Sequence, residues 1–270
     1  MTRAALAVPR VRSDPSQNLA TTVAMATQAA HSGADLVIFP EAVLTGLINN
    51  DDPAHDLALG QQIPGPGTET LGKFCRENRI WLAFGLLERE SNRLYDSAVL
   101  IDASGGMRLK YRRNQPQWHG TNADSRTYCQ GTDVLKAETT FGSVSFLICG
   151  DLFDDGIVSR LRDLQPDWLL FPFSRSFPDG SSDQGRWDRE ELPHYLDRVG
   201  LAHVPTLMTN YIGDESLADD NSFGGAFFVS DQGELLGSLP LGQEGFLMAD
   251  LEERRTIARR RRLQGRVAGA

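Results

Sequence analysis

The chain has 270 residues, 40% of them apolar, enough to fill one large core or two small ones. Its formal net charge of −9 argues against a general nucleic-acid binder. Three widely spaced cysteines form neither a disulfide framework nor a zinc pattern, and five scattered histidines show no paired spacing, so neither a metal nor a cofactor is expected.

In chain order, Ala4 to Val8 reads as a short buried strand. Ser16 is the expected cap of a helix whose Leu19, Val23, Ala26 and Ala30 share a face, with Gly33 ending it. Leu36 to Phe39 is the next strand. Residues 45–62 read as a loop lying over a site, and Pro64-Gly65-Pro66-Gly67 as a turn before a helix capped by Thr68. Ile80 to Leu87 and Ser97 to Ile101 are predicted strands, and Ser104-Gly105-Gly106 leads into a third, Met107 to Arg112. Residues 113–131 look irregular. Ser143 to Cys149 is a strand, 156–165 a helix, and Asp167 to Phe173 a strand. Leu192, Tyr195, Leu196 and Val199 mark a long helix. Thr206 to Ile212, Phe223 to Val229, Glu234 to Leu236 and Phe246 to Ala249 complete the strands. No linker divides the chain, so residues 1–270 read as one domain, with 251–270 a basic tail.

Three strand ends carry chemistry. Cys149 closes the run Val144-Ser145-Phe146-Leu147-Ile148 just before the turn Gly150-Asp151. A thiol presented there can reach a ligand, and its thiolate is a strong nucleophile. Taken alone, a cysteine reads equally well as a small buried hydrophobe. Glu41 follows the strand Leu36 to Phe39 directly after Pro40, which cannot continue a central ladder and so leaves the carboxylate on the sheet rim. Leu109-Lys110-Tyr111-Arg112-Arg113 ends a third strand in a basic cluster. Carboxylate, cation and thiol outline a base, an oxyanion stabiliser and a nucleophile.

With these residues the chain resembles the nitrilase superfamily, the carbon–nitrogen hydrolases with a Glu-Lys-Cys triad. The likeness runs through GADLVIFPE, QQIPGPGTETLGKFCRE, LKYRR, GSVSFLICGDLF, SFGGAFFVSDQGELLG and EGFLMADLE, nearly the whole chain. It implies a four-layer α-β-β-α sandwich with mixed sheets. It also implies Glu41 as base and Cys149 as nucleophile, with Gly150 as the backbone donor after the nucleophile. Three departures stand out. The position of the triad lysine holds Arg113, Gly150 replaces the usual aromatic or amide residue, and Asp124 stands where a second glutamate is common.

The reaction implied is acyl transfer from an amide or nitrile to Cys149, through a thioester or thioimidate, and then to water. Arg113 leaves three readings open: an oxyanion-stabilising cation, a bidentate partner that neutralises Glu41 or Asp124, or a bystander replaced by Lys110. Lys110 should face the other side of its strand from the site. Asp124, Gly150, Trp118 and Arg175 are the candidate substrate-binding residues, and Asp151 reads as a turn or capping residue. The alternative to a hydrolase is a catalytically silent relative that binds a small molecule or partner. The resemblance implies a homodimer or higher homo-oligomer, with the tail around Arg259 to Arg262 reaching a second subunit. The N-terminal apolar run is too short for a signal peptide, and no stretch approaches a membrane span, so the sequence reads as soluble and cytoplasmic, with no nucleic-acid or membrane partner.

Overall fold

A computed structural model of the chain describes residues 2–217 and 221–251. The basic tail lies outside the described residues. Strand β1 (Arg3–Val8) and the short β2 (Arg10–Val11) precede helix α1 (Pro15–His31) and strand β3 (Leu36–Ile38). Helices α2 (Pro53–Leu59) and α3 (Pro66–Asn78) follow, then the meander β4 (Trp81–Glu90), β5 (Arg93–Ile101) and β6 (Met107–Arg112). After an irregular stretch come β7 (Lys136–Thr139), β8 (Gly142–Phe146), a 3-10 turn over Cys149–Phe153, α4 (Asp155–Leu164) and β9 (Trp168–Pro172). A short α5 (Gln184–Arg186) and a π-helical turn run into α6 (Leu192–Ala202). The chain then forms β10 (Thr206–Thr209), β11 (Ile212–Gly213), β12 (Ala226–Val229), β13 (Leu235–Leu239) and β14 (Gly245–Asp250).

Two six-stranded sheets result, in the orders β14-β1-β3-β4-β5-β6 and β13-β12-β10-β9-β8-β7. Each has three parallel strands at its centre and antiparallel strands outside them. The expected four layers with mixed sheets are therefore present. Alternation along the first sheet assigns its two faces. Ala5, Ala7, Val37, Leu82 and Phe84 pack with Met25, Ala26, Leu71 and Phe74 of α1 and α3. Leu6, Val8, Leu36, Ile38 and Ala83 point the other way, into the larger core shared with Val144, Phe146, Leu170 and Leu207 of the second sheet. Strands buried on both faces read as continuous apolar runs, which is why they were legible as strands.

Local corrections have local causes. Helix α1 is capped by Asp14, whose Oδ1 accepts from the Ser16 N–H at 2.8 Å; Ser16 is itself inside the helix. Its buried face centres on Asn18, Thr22, Met25 and Ala29, because Asn18 turns inward to bond the Arg12 backbone. Gly65, not Thr68, caps α3; Thr68 Oγ1 bonds back to Gly65 from within the first turn. Strand β7 was missed, since its residues alternate only between exposed and half-buried.

Candidate active site

The topology delivers the three predicted residues to one end of the sandwich. Glu41 lies just past the C-terminal end of β3, a central parallel strand of the first sheet, and Cys149 just past β8, a central strand of the second. Strand β5 is antiparallel to β4, and β6 to β5, so β6 again runs with β4 and releases Arg113 at the same end. Sites outside the carboxyl ends of strands are the rule in open α/β sheets.

Each residue is held by its own backbone feature. Behind Glu41, the Gly85 N–H of β4 donates to the Pro40 carbonyl at 3.0 Å. A Cβ on Gly85 would stand 2.6 Å from the Ala42 nitrogen and 2.7 Å from Glu41 Cα, so only glycine lets the chain pass this close. Ala42 then turns through the left-handed region at φ 47°, and Cys149 does the same at φ 45°. Non-glycine residues adopt that region at a cost and persist there when the surroundings fix them, often at functional sites. The Cys149 thiol is half-buried and donates to the Ser174 carbonyl at 3.5 Å.

Arg113 is buried, 3% exposed in its side chain, and Glu41 is fully buried. Arg113 Nη1 donates to Glu41 Oε1 at 3.0 Å and to Asp96 Oδ2 at 3.5 Å, while Nη2 donates to Gln115 Oε1 at 3.0 Å. The fork thus does not close bidentately on Glu41. Glu41 Oε2 has no hydrogen-bond partner and is buried. Burial first, then the neighbouring Cys149 thiol, pushes the Glu41 carboxyl up to about 8, against the pull of Arg113. Burial opposes the charge of Arg113, but Cys149, Glu41 and Asp96 offset this and keep it protonated. Lys110 points away as strand alternation requires: with Arg112 it binds Glu88, at 2.7 Å from Nζ.

Gly150 lies against the cation. A Cβ there would come within 2.6 Å of Arg113 Nη2 and 2.8 Å of Gln115 Oε1. The two departures that the resemblance implied thus share one space, since the bare backbone after the cysteine lies directly against the guanidinium. Asp151 ties the pieces together. Fully buried, it accepts from Tyr111 Oη at 2.7 Å, from the Ile148 N–H at 3.1 Å, and from the Asn114 and Gln115 N–H groups at 3.1 and 2.8 Å. It is a turn-builder, as its position suggested, but it spans two sheets.

Two candidates lie elsewhere. Asp124 is bound by Arg126 at 2.8 Å within its own surface turn, where its short side chain caps the Arg126 N–H instead of reaching Glu41. Trp118 is 4% exposed, packed with Leu87, Leu94 and Tyr128 in a separate cluster that consumes its ring. Arg175 does stand near the thiol, but Glu191 takes its guanidinium through two hydrogen bonds, at 2.7 and 3.2 Å. A cavity of about 630 Å³ opens beside Ser174 and Arg175, walled by Leu217 and by Leu47, Ile48 and Asn49 of the loop before α2, the helix that fills part of the stretch 45–62 expected to be loop throughout. That loop is pinned by the buried Asp56, which accepts from the Asn50 and Asp51 N–H groups and from Tyr128 Oη. Sequence reasoning missed Asp96 and Tyr195. Asp96 lies one residue before the strand expected to start at Ser97, and no local signal marks it, because its partners Glu41 and Arg113 are distant in sequence. Tyr195 was read only as a helix face; burial and then Cys149 push its hydroxyl up. No group of metal-ligating side chains occurs among the described residues, and none of their helices is long and apolar enough to cross a membrane.

A carboxylate, a cation and a cysteine at matching strand ends of a four-layer sandwich define a class before any comparison. The chain belongs to the carbon–nitrogen hydrolase family, whose sequence model matches residues 3–261. Nitrilase 2 of Arabidopsis thaliana is 23% identical over 254 residues, covering 83% of this chain and 72% of that protein. A formamidase of Bacillus cereus (strain Q1) is 33% identical over 92 residues, which cover 33% of this chain and only 27% of the formamidase. Among solved structures, an amidase from Nesterenkonia sp. AN1, in a mutant form that carries acrylamide added at its active-site cysteine, superposes with a TM-score of 0.75 at 21% identity, covering 98% of this chain and 99% of that one. A carbon–nitrogen hydrolase from Helicobacter pylori G27 gives a TM-score of 0.76 at 19% identity, over 96% and 92% of the two chains.

Proposed function

We propose that this chain is an amidase-type hydrolase of non-peptide carbon–nitrogen bonds, acting through a Cys149 acyl-enzyme. Glu41 takes the thiol proton as Sγ attacks the carbonyl carbon, and returns that proton to the nitrogen as the C–N bond breaks. The amine leaves and a thioester remains. Glu41 then takes a proton from water, whose oxygen attacks the thioester carbon, and the thiol departs reprotonated. Arg113 and the Gly150 N–H stabilise the oxyanion in both halves. The acyl group extends into the cavity beside Ser174, where Arg175, already neutralised by Glu191, offers little grip on a carboxylate. That favours an uncharged acyl group.

The observation that supports this most is the single contact between Arg113 and Glu41, which leaves the buried Oε2 unpartnered on a carboxyl that Cys149 is near enough to influence. One observation favours the second reading, a binding protein without turnover: at 3.0 Å in a dry setting, the same ion pair competes for the base. Intact-mass spectrometry during incubation with amides and nitriles separates the two. A hydrolase accumulates an acyl or imidoyl mass on Cys149, absent from Cys149→Ala, and releases ammonia or amine. Folded protein showing neither adduct nor release across the panel would leave the binding role.

A further inference from the structure

Two fully buried carboxyls, Glu41 and Asp96, meet on one nitrogen of one guanidinium. Each has a second oxygen, Glu41 Oε2 and Asp96 Oδ1, that is buried and receives no hydrogen bond. Two carboxylates against one cation would leave a net negative charge on groups with almost no solvent exposure, and an uncompensated buried charge is costly. When Glu41 gives up its proton, near pH 8, a single proton left on the pair removes that charge. We propose that Asp96 is the positioning residue for Glu41: as a neutral acid it keeps that proton, donates it in a hydrogen bond toward Glu41, and so fixes the base with its other edge open to Cys149. This rests on the hydrolase reading of the site for its consequence, but not for the proton itself.

The surroundings agree on which acid keeps the proton. The charged and titratable groups facing the pair are Arg113 from beyond β6, and Cys149 and Asp151 from the turn after β8. Arg175, paired with Glu191, and Tyr195 lie within electrostatic reach of the thiol. Of these only Arg113 favours ionisation of the pair at close range. Asp96 is displaced well above the carboxylate range, by burial first and then by Glu41, whereas its contact lowers Glu41. Asp96 is also tied to the cation through its backbone, its carbonyl accepting the Arg113 N–H at 2.8 Å, so base, cation and acid are linked through Arg113. The candidate second carboxylate read from the sequence, Asp124, is occupied by Arg126 at the surface, and Asp96 supplies an acid at the centre of the site instead.

The test begins with the proton. Protein labelled with ¹³C at the aspartate carboxyls is titrated by NMR, with the Asp96 signal assigned by its loss in Asp96→Asn. The carbon should keep the shift of a neutral acid through neutrality; titration in the ordinary aspartate range would overturn the proposal. This readout needs no substrate, so it stands or falls apart from the hydrolase reading. Turnover then tests the consequence. Asp96→Asn keeps a neutral hydrogen-bond donor and should retain kcat within a few-fold, with the acid limb of kcat/KM in place. Asp96→Ala removes the donor, so it should lower kcat by up to about a hundredfold with KM little changed. Because Glu41 loses a bond that stabilised its charge, the acid limb should move to higher pH. An acid limb shifted downward in both variants would mean that Asp96 was ionised, and an unchanged Asp96→Ala would mean that it positions nothing; either result sinks the proposal. If Asp96→Ala fails to fold, the labelled protein and Asp96→Asn decide.

Discussion

At position 113 an arginine is not equivalent to the lysine that the resemblance led one to expect, because a fork occupies space that a point charge leaves empty. Gly150 is the complement of that fork: a methyl group there would stand 2.6 Å from Nη2. Arg113 cannot simply swing aside, since it is 3% exposed and held by Glu41, Asp96 and Gln115. Gly150→Ala should therefore lower kcat/KM by about ten- to a hundredfold, the loss of much of one oxyanion-stabilising contact. Arg113→Lys removes Nη2 and opens that space. In its background the same glycine substitution should cost much less. The four kcat/KM values form a double-mutant cycle in which coupling of about 1–2 kcal/mol is expected. Additive losses would mean that the two departures from the family pattern are independent.

At the scale of elements, most of the fold was legible, and the failures share a cause. Central strands such as Leu36–Ile38 and Trp168–Pro172 are buried on both faces, so their apolar runs announce them. The positions of Glu41 and Cys149 at strand ends were legible because a strand must end before a polar turn; the roles expected of them came from the resemblance. Asp124 failed because linear spacing says nothing about which partner a surface carboxylate finds, and Arg126 was two residues away. Asp96 was hidden because a buried acid inside a strand has no local signal; it is defined by Glu41 and Arg113, both distant in sequence. Asp151 shows the same limit. Its turn was visible, yet its reach to Tyr111 and to the Asn114 and Gln115 backbone, which joins the end of β6 to the turn after β8, was not. Replacing it by alanine leaves several buried donors unpaired, each worth about 1–3 kcal/mol. Asp151→Ala should lower the urea midpoint by an amount corresponding to about 3 kcal/mol or more, with activity lost as well. A midpoint unchanged within error would show that this bridge does not hold the two sheets' ends together.

For the whole molecule, the site should leave a mark on stability as a function of pH. Several carboxyls are held low although burial, the largest single influence on each, pushes them up: Asp102 is held at about 2 by Ser104, Gly106 and Arg108, and Glu88 is lowered by Arg112, Lys110 and Ser97. Their contribution is present above the unfolded values and is lost as pH falls, so they shape the acid side of the curve. Glu41 acts in the opposite direction. Its carboxyl titrates near 4.5 when unfolded and near 8 when folded, because burial disfavours its charge. Between those values the folded state binds more protons than the unfolded one. Its favourable contribution is therefore complete below about 4.5 and is lost as pH rises through about 8. Asp96, shifted the same way and sharing the cation, reinforces this slope. Glu41→Gln replaces the acid with a neutral group that cannot titrate. The melting temperature of the variant minus that of the wild type should thus rise steadily from pH 5 to pH 8.5, whatever its sign at the start. Differential scanning calorimetry in buffers of low ionisation heat gives both curves. A flat difference would mean that Glu41 is ionised throughout, with Arg113 holding it as an ordinary ion pair, and the base would then be too weakly basic for the role assigned to it.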